Sequence, residues 1–337
     1  MNSKPDQLLE APELADVQDA ATALHGIINS TPMLENVEVN KALSGRLLIK
    51  SETAQRTGAF KFRGAYNRIR QMNTAELKRG VIAYSSGNHA QAVALAARLL
   101  DTHALIVMPS DAPQSKMDRT RELGADIITY ERTSQSREDV AEAIQTKRRL
   151  IMVPPNEDRR VMAGAGTVAL ELHQQAKTVG AEINAVLVPC GGGGLTAATA
   201  IVLNTLSPRT QVFAVEPETF DDTKRSFEAG HRLPNPAGRK TICDAIMTDQ
   251  PGKLTFPINL KRLAGVLTVS DADVQKAMLF AFEQFKIVVE PGAAVGLAAV
   301  LAGKIEITGK NIAVIATGGN VDPSVFCKAL TTASIEK

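Results

Sequence analysis

The chain is 337 residues long, 44% hydrophobic and 22% charged, with a formal charge of +2. This is the make-up of a soluble globular protein of about two domains, and the near-zero charge, the 4% aromatic content and the lack of tryptophan argue against a nucleic-acid or anionic-membrane surface. Cys190, Cys243 and Cys327 lie far apart with no C-x-x-C pair, which excludes a zinc ribbon or disulfide framework and fits a reducing compartment.

Acidic residues enter early in the first 17 residues and no apolar segment follows them, so no secretory leader is expected. No run approaches ~18 uninterrupted apolar residues, so no membrane helix is expected and a cytoplasmic protein is. From residue 81 the pattern is strand then helix, repeated. Val81–Tyr84 is a strand and Asn88–Leu100 a helix; Ala104–Met108 a strand and Ser115–Leu123 a helix; Asp126–Tyr130 a strand and Arg137–Thr146 a helix. Ile151–Val153 is the next strand, then a helix through Thr167–Gln175. Strand Ala185–Val188 precedes helix Leu195–Leu206, and Val212–Val215 is a strand. Val266–Val269 runs into Ser270-Asp271, an N-cap for a helix over Val274–Phe285; helix Ala293–Ala302 and strand Ile312–Ile315 close the series. Such alternation predicts an α/β fold with parallel sheets covered by helices on both faces. No linker marks a boundary. The division expected is a βαβ block over 80–155 inside a larger, discontinuous domain of 1–79 and 156–337.

Parallel sheets bind ligands beyond the carboxyl ends of their strands, so chemistry is sought there. Ser85-Ser86-Gly87-Asn88-His89 follows the first strand and opens a helix whose free N–H groups attract anions. Gly191-Gly192-Gly193-Gly194 sits between an apolar strand and an apolar helix. A flexible linker does not belong there; a close backbone approach to a phosphate does. Two readings of this loop compete. Gly192-x-Gly194-x-x-Ala197 also fits the dinucleotide fingerprint, with Glu216 placed 24 residues on as a ribose-binding acid, which would make the chain an NAD-dependent dehydrogenase. Thr317-Gly318-Gly319-Asn320 follows the last strand and reads either as a further close approach or as an ordinary turn. Lys61 lies between Phe60 and Phe62 among small residues. Apolar surroundings lower a lysine's pKa and favour a nucleophilic amine, although lysines ordinarily snorkel to solvent.

Taken together, these segments resemble the fold-type II pyridoxal-phosphate enzymes of the threonine dehydratase and serine racemase group, a two-domain fold like the tryptophan synthase β chain. The resemblance runs from Thr31-Pro32-Met33-Leu34 to Thr317-Gly318-Gly319-Asn320-Val321-Asp322, with the motifs in the family's order. Phe60-Lys61-Phe62-Arg63-Gly64-Ala65 resembles the cofactor-lysine motif, Ser85 to His89 the asparagine loop, and the tetraglycine the phosphate cup. Four ordered motifs set the dehydrogenase aside. The larger domain is then the cofactor domain, and the smaller carries the asparagine loop.

The resemblance implies roles. Lys61, beside Phe60, holds pyridoxal phosphate covalently and moves the Cα proton. Gly191, Gly192, Gly193, Gly194 and Leu195 take the cofactor phosphate, Asn88 its ring hydroxyl and Thr317 its ring nitrogen. Ser85, Ser86, Asn88 and His89 grip the substrate carboxylate, and Arg137 contacts the substrate side. Ser86 matches the serine that returns a proton in racemases. The implied reaction is β-elimination from a 3-hydroxy amino acid such as L-threonine or L-serine, giving a 2-oxo acid and ammonia. Serine racemisation, and dehydration of 3-hydroxyaspartate or a hydroxyectoine-derived amino acid, are the alternatives; a second carboxylate needs a cationic partner, for which Arg137 is the candidate.

Asp244 is followed by Ala245 where most relatives have glycine, a departure beside the cofactor. No C-terminal regulatory domain, hence no feedback by isoleucine, is expected. A homodimer is expected by family analogy. Glu216, the Phe220 carbonyl and Asp222 have the spacing of a Mg²⁺ or Ca²⁺ site in metal-activated relatives, against a ribose-binding Glu216 or a solvated acidic loop.

Overall fold

The computed structural model describes residues 10–131 and 133–335. The first nine residues, on which the leader expectation partly rests, lie outside the described residues. Among the described residues no helix is long and apolar enough to cross a membrane.

Two sheets organise the chain. The larger has six strands, β1 (Met33–Glu35), β2 (Arg46–Ser51), β7 (Ala185–Pro189), β8 (Gln211–Pro217), β9 (Gly265–Val269) and β10 (Asn311–Ala316), in the order β1-β2-β10-β7-β8-β9. The smaller has β3 (Val81–Tyr84), β4 (Ala104–Pro109), β5 (Ala125–Tyr130) and β6 (Ile151–Met152), in the order β5-β4-β3-β6. Among the described residues the strand pairings are parallel except one: β1 runs antiparallel to β2, with Met33 opposite Lys50. The expectation of wholly parallel sheets therefore fails at that edge, where β1 and β2 lie close in sequence and no crossover helix joins them.

The parallel strands are buried on both faces, and their residues show it. On β7, Ala185 and Leu187 join one apolar cluster while Val186 and Val188 join another. On β3 and β4, Val81, Ala83 and Ile106 pack on one side and Ile82, Leu105 and Val107 on the other. Strands of this kind read as continuous apolar runs because helices cover both faces.

Helix ends follow local chemistry. Ser270 caps α12 (Asp271–Phe280) in a reciprocal box with Asp273, and Ser136 caps α7 (Arg137–Arg148) by accepting from the Asp139 amide. The expected helix over Val274–Phe285 starts earlier and ends in a π-type turn at Ala281–Phe285. Asp158 caps α8 (Arg159–Thr178) and holds Arg68 at 2.8 Å.

The segment before β3 carries several helices and strands that apolar periodicity misses, two of them with charged interior faces. The next-to-last residue of β2 is a fully buried lysine: Lys50 Nζ donates to Thr31 O at 2.7 Å, Glu171 Oε2 at 2.8 Å and Gln175 Oε1 at 2.9 Å. α3 (Lys61–Ile69) buries Arg63, which bridges Glu52 and Glu171 through both guanidinium edges. Buried charges survive because each is paired and hydrogen-bonded. The cluster ties α3, whose first residue is Lys61, to β2 and α8.

Candidate active site

In open parallel sheets a crevice forms where strand order reverses. In the larger sheet the reversal lies between β7 and β10, followed by Gly191 and Thr317. In the smaller it lies between β3 and β6, followed by Ser85 and Pro155. These four strand ends line one pocket between the sheets, together with Lys61.

Lys61 donates from Nζ to Pro155 O at 2.8 Å, and its ammonium lies 5.1 Å from the Phe60 ring centroid. Desolvation brings its pKa down from 10.5 to about 8. About a tenth of the amine is then neutral at pH 7, far more than in an ordinary lysine, which suits a base or nucleophile.

The tetraglycine leads into α9 (Gly194–Leu206), which has no side-chain cap. Gly193 has φ +81°, and a Cβ there would stand 2.5 Å from Asn259 Nδ2. Side chains from distant segments hold the loop by its carbonyls. Thr255 Oγ1 donates to Gly192 O at 2.6 Å, Asn156 Nδ2 to the same oxygen at 3.2 Å, and Asn259 Nδ2 to Gly193 O at 3.3 Å. With the carbonyls engaged and the helix uncapped, the orphan N–H groups are left for an anion.

The Ser85 to His89 loop opens α5 (Asn88–Leu99), also uncapped by a side chain. Ser85 Oγ accepts from the Gly87 amide at 3.2 Å, which holds the turn; Ser85, Ser86 and Asn88 line the pocket. His89 departs from a side-chain grip on a carboxylate. It is buried, its Nε2 meets Val153 O at 2.8 Å, and desolvation drives its pKa down to about 3. The imidazole is neutral and brings no positive charge to an anion. Thr317 is buried and lines the pocket, its carbonyl taking the Phe60 amide at 3.0 Å.

Arg137 opens α7 and lies over the Tyr84 ring, 5.6 Å from its centroid. Sequence reasoning missed a second cation in the same pocket: Lys116 pairs with Asp244 at 2.8 Å. It also missed Asn156, Thr248 and Glu290. Ala245 lines the pocket without closing it.

The acidic loop divides. Glu216 is fully buried, and both its oxygens accept amides at the start of α10 (Asp222–Ala229), from Thr223 at 3.1 Å and Lys224 at 3.0 Å. Asp222 takes Asn235 Nδ2 at 2.6 Å on one oxygen, and its other oxygen is buried with no partner. Burial first, and then the neighbouring carboxylate, holds the Glu216 carboxyl well above its ordinary range. Phe220 is buried as well, whereas Glu218 and Thr219 are exposed, so only part of the loop is solvated.

A comparison with known proteins decides the family. Residues 24–318 match the model of the pyridoxal-phosphate dependent enzymes. The chain belongs to this family. Among curated relatives, the L-threo-3-hydroxyaspartate ammonia-lyase of Saccharomyces cerevisiae is 41% identical over 92% of this chain and 94% of its own length. The serine racemase of Schizosaccharomyces pombe is 39% identical over 93% of this chain and 96% of its own. Among solved structures, the processed form of threonine deaminase isoform 2 from Solanum lycopersicum superposes with a TM-score of 0.87 at 31% identity, covering 99% of this chain and 99% of that one. The expected fold class, a fold-type II pyridoxal-phosphate enzyme with helix-covered, mainly parallel sheets, is the one found. The dehydrogenase reading is overturned by the family match; Glu216, its ribose-binding acid, is fully buried with each oxygen accepting an amide of α10. The pocket of this pyridoxal-phosphate enzyme suits the cofactor, with a desolvated amine at Lys61 and an uncapped glycine cradle for a phosphate.

Proposed function

We propose that this lyase eliminates water from a 3-hydroxy amino acid, that hydrolysis of the released enamine takes one water back and gives ammonia and a 2-oxo acid, and that a 3-hydroxyaspartate suits its pocket best. The observation that carries the reading is the meeting of Lys61, two uncapped helix N-termini and two further cations at one set of strand ends. When bound, pyridoxal phosphate supplies an electron sink that acidifies the Cα–H bond of an attached amino acid. The chain supplies the rest. The amides of Gly191 to Leu195 hold the phosphate; Lys61, beside Phe60, anchors the cofactor, and its amine takes the Cα proton. Asn88 serves the ring oxygen and Thr317 the ring nitrogen. A threonine hydroxyl there would support a protonated ring nitrogen less firmly than a carboxylate, which suits elimination. The first turn of α5, with Ser85, Ser86 and the His89 amide, holds the α-carboxylate.

That leaves the buried, unpartnered hydroxyl of Thr248 and two cations in the same pocket, Arg137 and Lys116, whose present partners Glu138 and Asp244, each at 2.8 Å, are exposed acids that a substrate carboxylate would replace. An unpartnered buried hydroxyl and two cations suit a second carboxylate, which a threonine or serine substrate lacks. Incubation with L-threo-3-hydroxyaspartate, L-threonine and L-serine should release ammonia and 2-oxo acid in equal amounts, and Lys61→Ala should abolish it. Release unaffected by Lys61→Ala would contradict the proposal.

Racemisation is the second reading, favoured by Ser86 lining the pocket that holds Lys61. Ser86→Ala should then lower D-serine formation more than pyruvate formation.

A divalent cation between Glu216, the Phe220 carbonyl and Asp222 is supported by the orphan Asp222 oxygen. Among the described residues no third acidic, histidine or cysteine side chain joins the pair, so water would complete the shell. EDTA should lower the melting temperature, and Mg²⁺ or Ca²⁺ should restore it. We further read residues 80–155 as a separate small domain built on the smaller sheet, the enzyme as a homodimer by family analogy, and the three free thiols as fitting a cytoplasmic setting.

A further inference from the structure

Asn88 sits in a chain of side-chain amides with a defined sense. Asn320 Nδ2 donates to the Thr57 carbonyl at 2.6 Å and to Asn88 Oδ1 at 2.8 Å. Asn88 Nδ2 donates to Glu290 Oε1 at 2.6 Å. A peptide carbonyl only accepts, so Thr57 requires Asn320 to present its nitrogen. Both hydrogens of that nitrogen are then used. Asn88 must meet it with oxygen and turn its own nitrogen the other way, where one hydrogen goes to Glu290 and one remains for the pocket.

Glu290 is buried, and desolvation pushes its carboxyl up to about 7. It precedes α13 (Pro291–Leu301), but its side chain does not cap that helix. The backbone anchors this corner without it: the Glu290 amide donates to Gly318 O at 3.1 Å, and the Ala293 amide to Glu290 O at 2.9 Å. Space has been cleared for both partners. A Cβ on Gly318 would stand 2.6 Å from Glu290 Oε1, and a Cβ on Gly58, at φ +72°, would stand 2.5 Å from Asn320 Oδ1. An acid buried at this cost, with two glycines making room for the chain, is not filling a core.

We propose that Glu290 and Asn320 are positioning residues that fix the Asn88 carboxamide so that it offers the pocket a donor and not an acceptor. The ring oxygen of pyridoxal phosphate is an acceptor and requires that face. The inference rests on the proposed use of Asn88 toward the cofactor. Flipping Asn88 would turn its nitrogen onto the Asn320 nitrogen and its oxygen onto the ring oxygen, and onto Glu290 Oε1 when that acid is ionised.

The test uses the full chain loaded with pyridoxal phosphate. It reads the cofactor dissociation constant and the position of the bound cofactor's visible absorption band, with circular-dichroism melts to report folding. Asn88→Ala and Glu290→Ala should each weaken cofactor binding about tenfold, the size of one hydrogen bond to a charged group, and move the band. Glu290→Gln, which keeps an acceptor oxygen for Asn88, should stay within about threefold of the parent. The double variant Asn88→Ala/Glu290→Ala should match Asn88→Ala alone, because Glu290 acts through Asn88. A Glu290→Ala loss that adds in full on the Asn88→Ala background, or an unchanged constant and band in Glu290→Ala, would overturn the proposal. An unchanged constant in Asn88→Ala would overturn it together with the reading beneath it. If Glu290→Ala does not fold, Asn320→Asp decides: it removes the donor nitrogen and should show the same loss, again absent on the Asn88→Ala background, and parent-like binding would refute the proposal.

Discussion

Lys61→Met should make the cofactor-free protein more stable, because the lysine is held against its own solvation. Desolvation lowers its pKa from 10.5 to about 8. At ~1.4 kcal/mol per pH unit, keeping the ammonium in the folded chain costs up to ~3 kcal/mol. The side chain is only partly buried and donates to Pro155 O, a bond the variant loses, so a net gain of ~1–2 kcal/mol is expected. The sign with pH follows. Below pH 8 the lysine is charged in both states and the penalty is present in full; between about 8 and 10.5 the unfolded chain binds more protons than the folded one, so the penalty fades. Urea unfolding of both cofactor-free proteins should therefore show Lys61→Met ahead at pH 7 and the gap closing by pH 10. A variant less stable than the parent at pH 7, or a gap that does not narrow with pH, would refute the account of Lys61 as a desolvated amine.

Gly193→Ala must adopt a left-handed backbone, at ~1–2 kcal/mol, and push Asn259 from the loop; urea melts should show that loss, and cofactor titration a fall in affinity of at least about tenfold. Arg63→Ala leaves the buried Glu52 with the Thr31 hydroxyl alone and Glu171 with Lys50 alone, and should cost ~3–5 kcal/mol in urea unfolding; a loss below ~1 kcal/mol would mean water replaces the guanidinium.

Much of this site can be read from the chain because its main parts sit at strand ends. Ser85 to Asn88 and Gly191 to Gly194 each follow an apolar strand and open a helix without a side-chain cap, and that arrangement is visible as residue order. Lys61 stands out as a cation among Phe and small residues. What the order does not carry is the support brought from elsewhere. Asn156, Thr255 and Asn259 grip the glycine carbonyls from segments tens of residues away, and Glu290 reaches Asn88 across 202 positions. β2 and α3 escape a reading by periodicity because their interior faces are charged: Lys50 and Arg63 are fully buried, and their partners are known only once the chain is folded. The dinucleotide reading failed for a related reason. Glycine spacing reports a helix N-terminus suited to a phosphate, which both cofactor classes use; what separates them here is the family match, with Glu216 fully buried against two amides of α10.

The most direct measurement is kcat/KM for ammonia release from L-threo-3-hydroxyaspartate and from L-threonine, in the parent and in Arg137→Met. The account predicts that the parent prefers the dicarboxylate by at least about tenfold. Loss of one charge-assisted hydrogen bond, ~1.5–3 kcal/mol, should lower the 3-hydroxyaspartate value at least tenfold more than the threonine value in the variant. Equal losses on both substrates, or a parent that prefers threonine, would contradict the claim that Arg137 reads a second carboxylate.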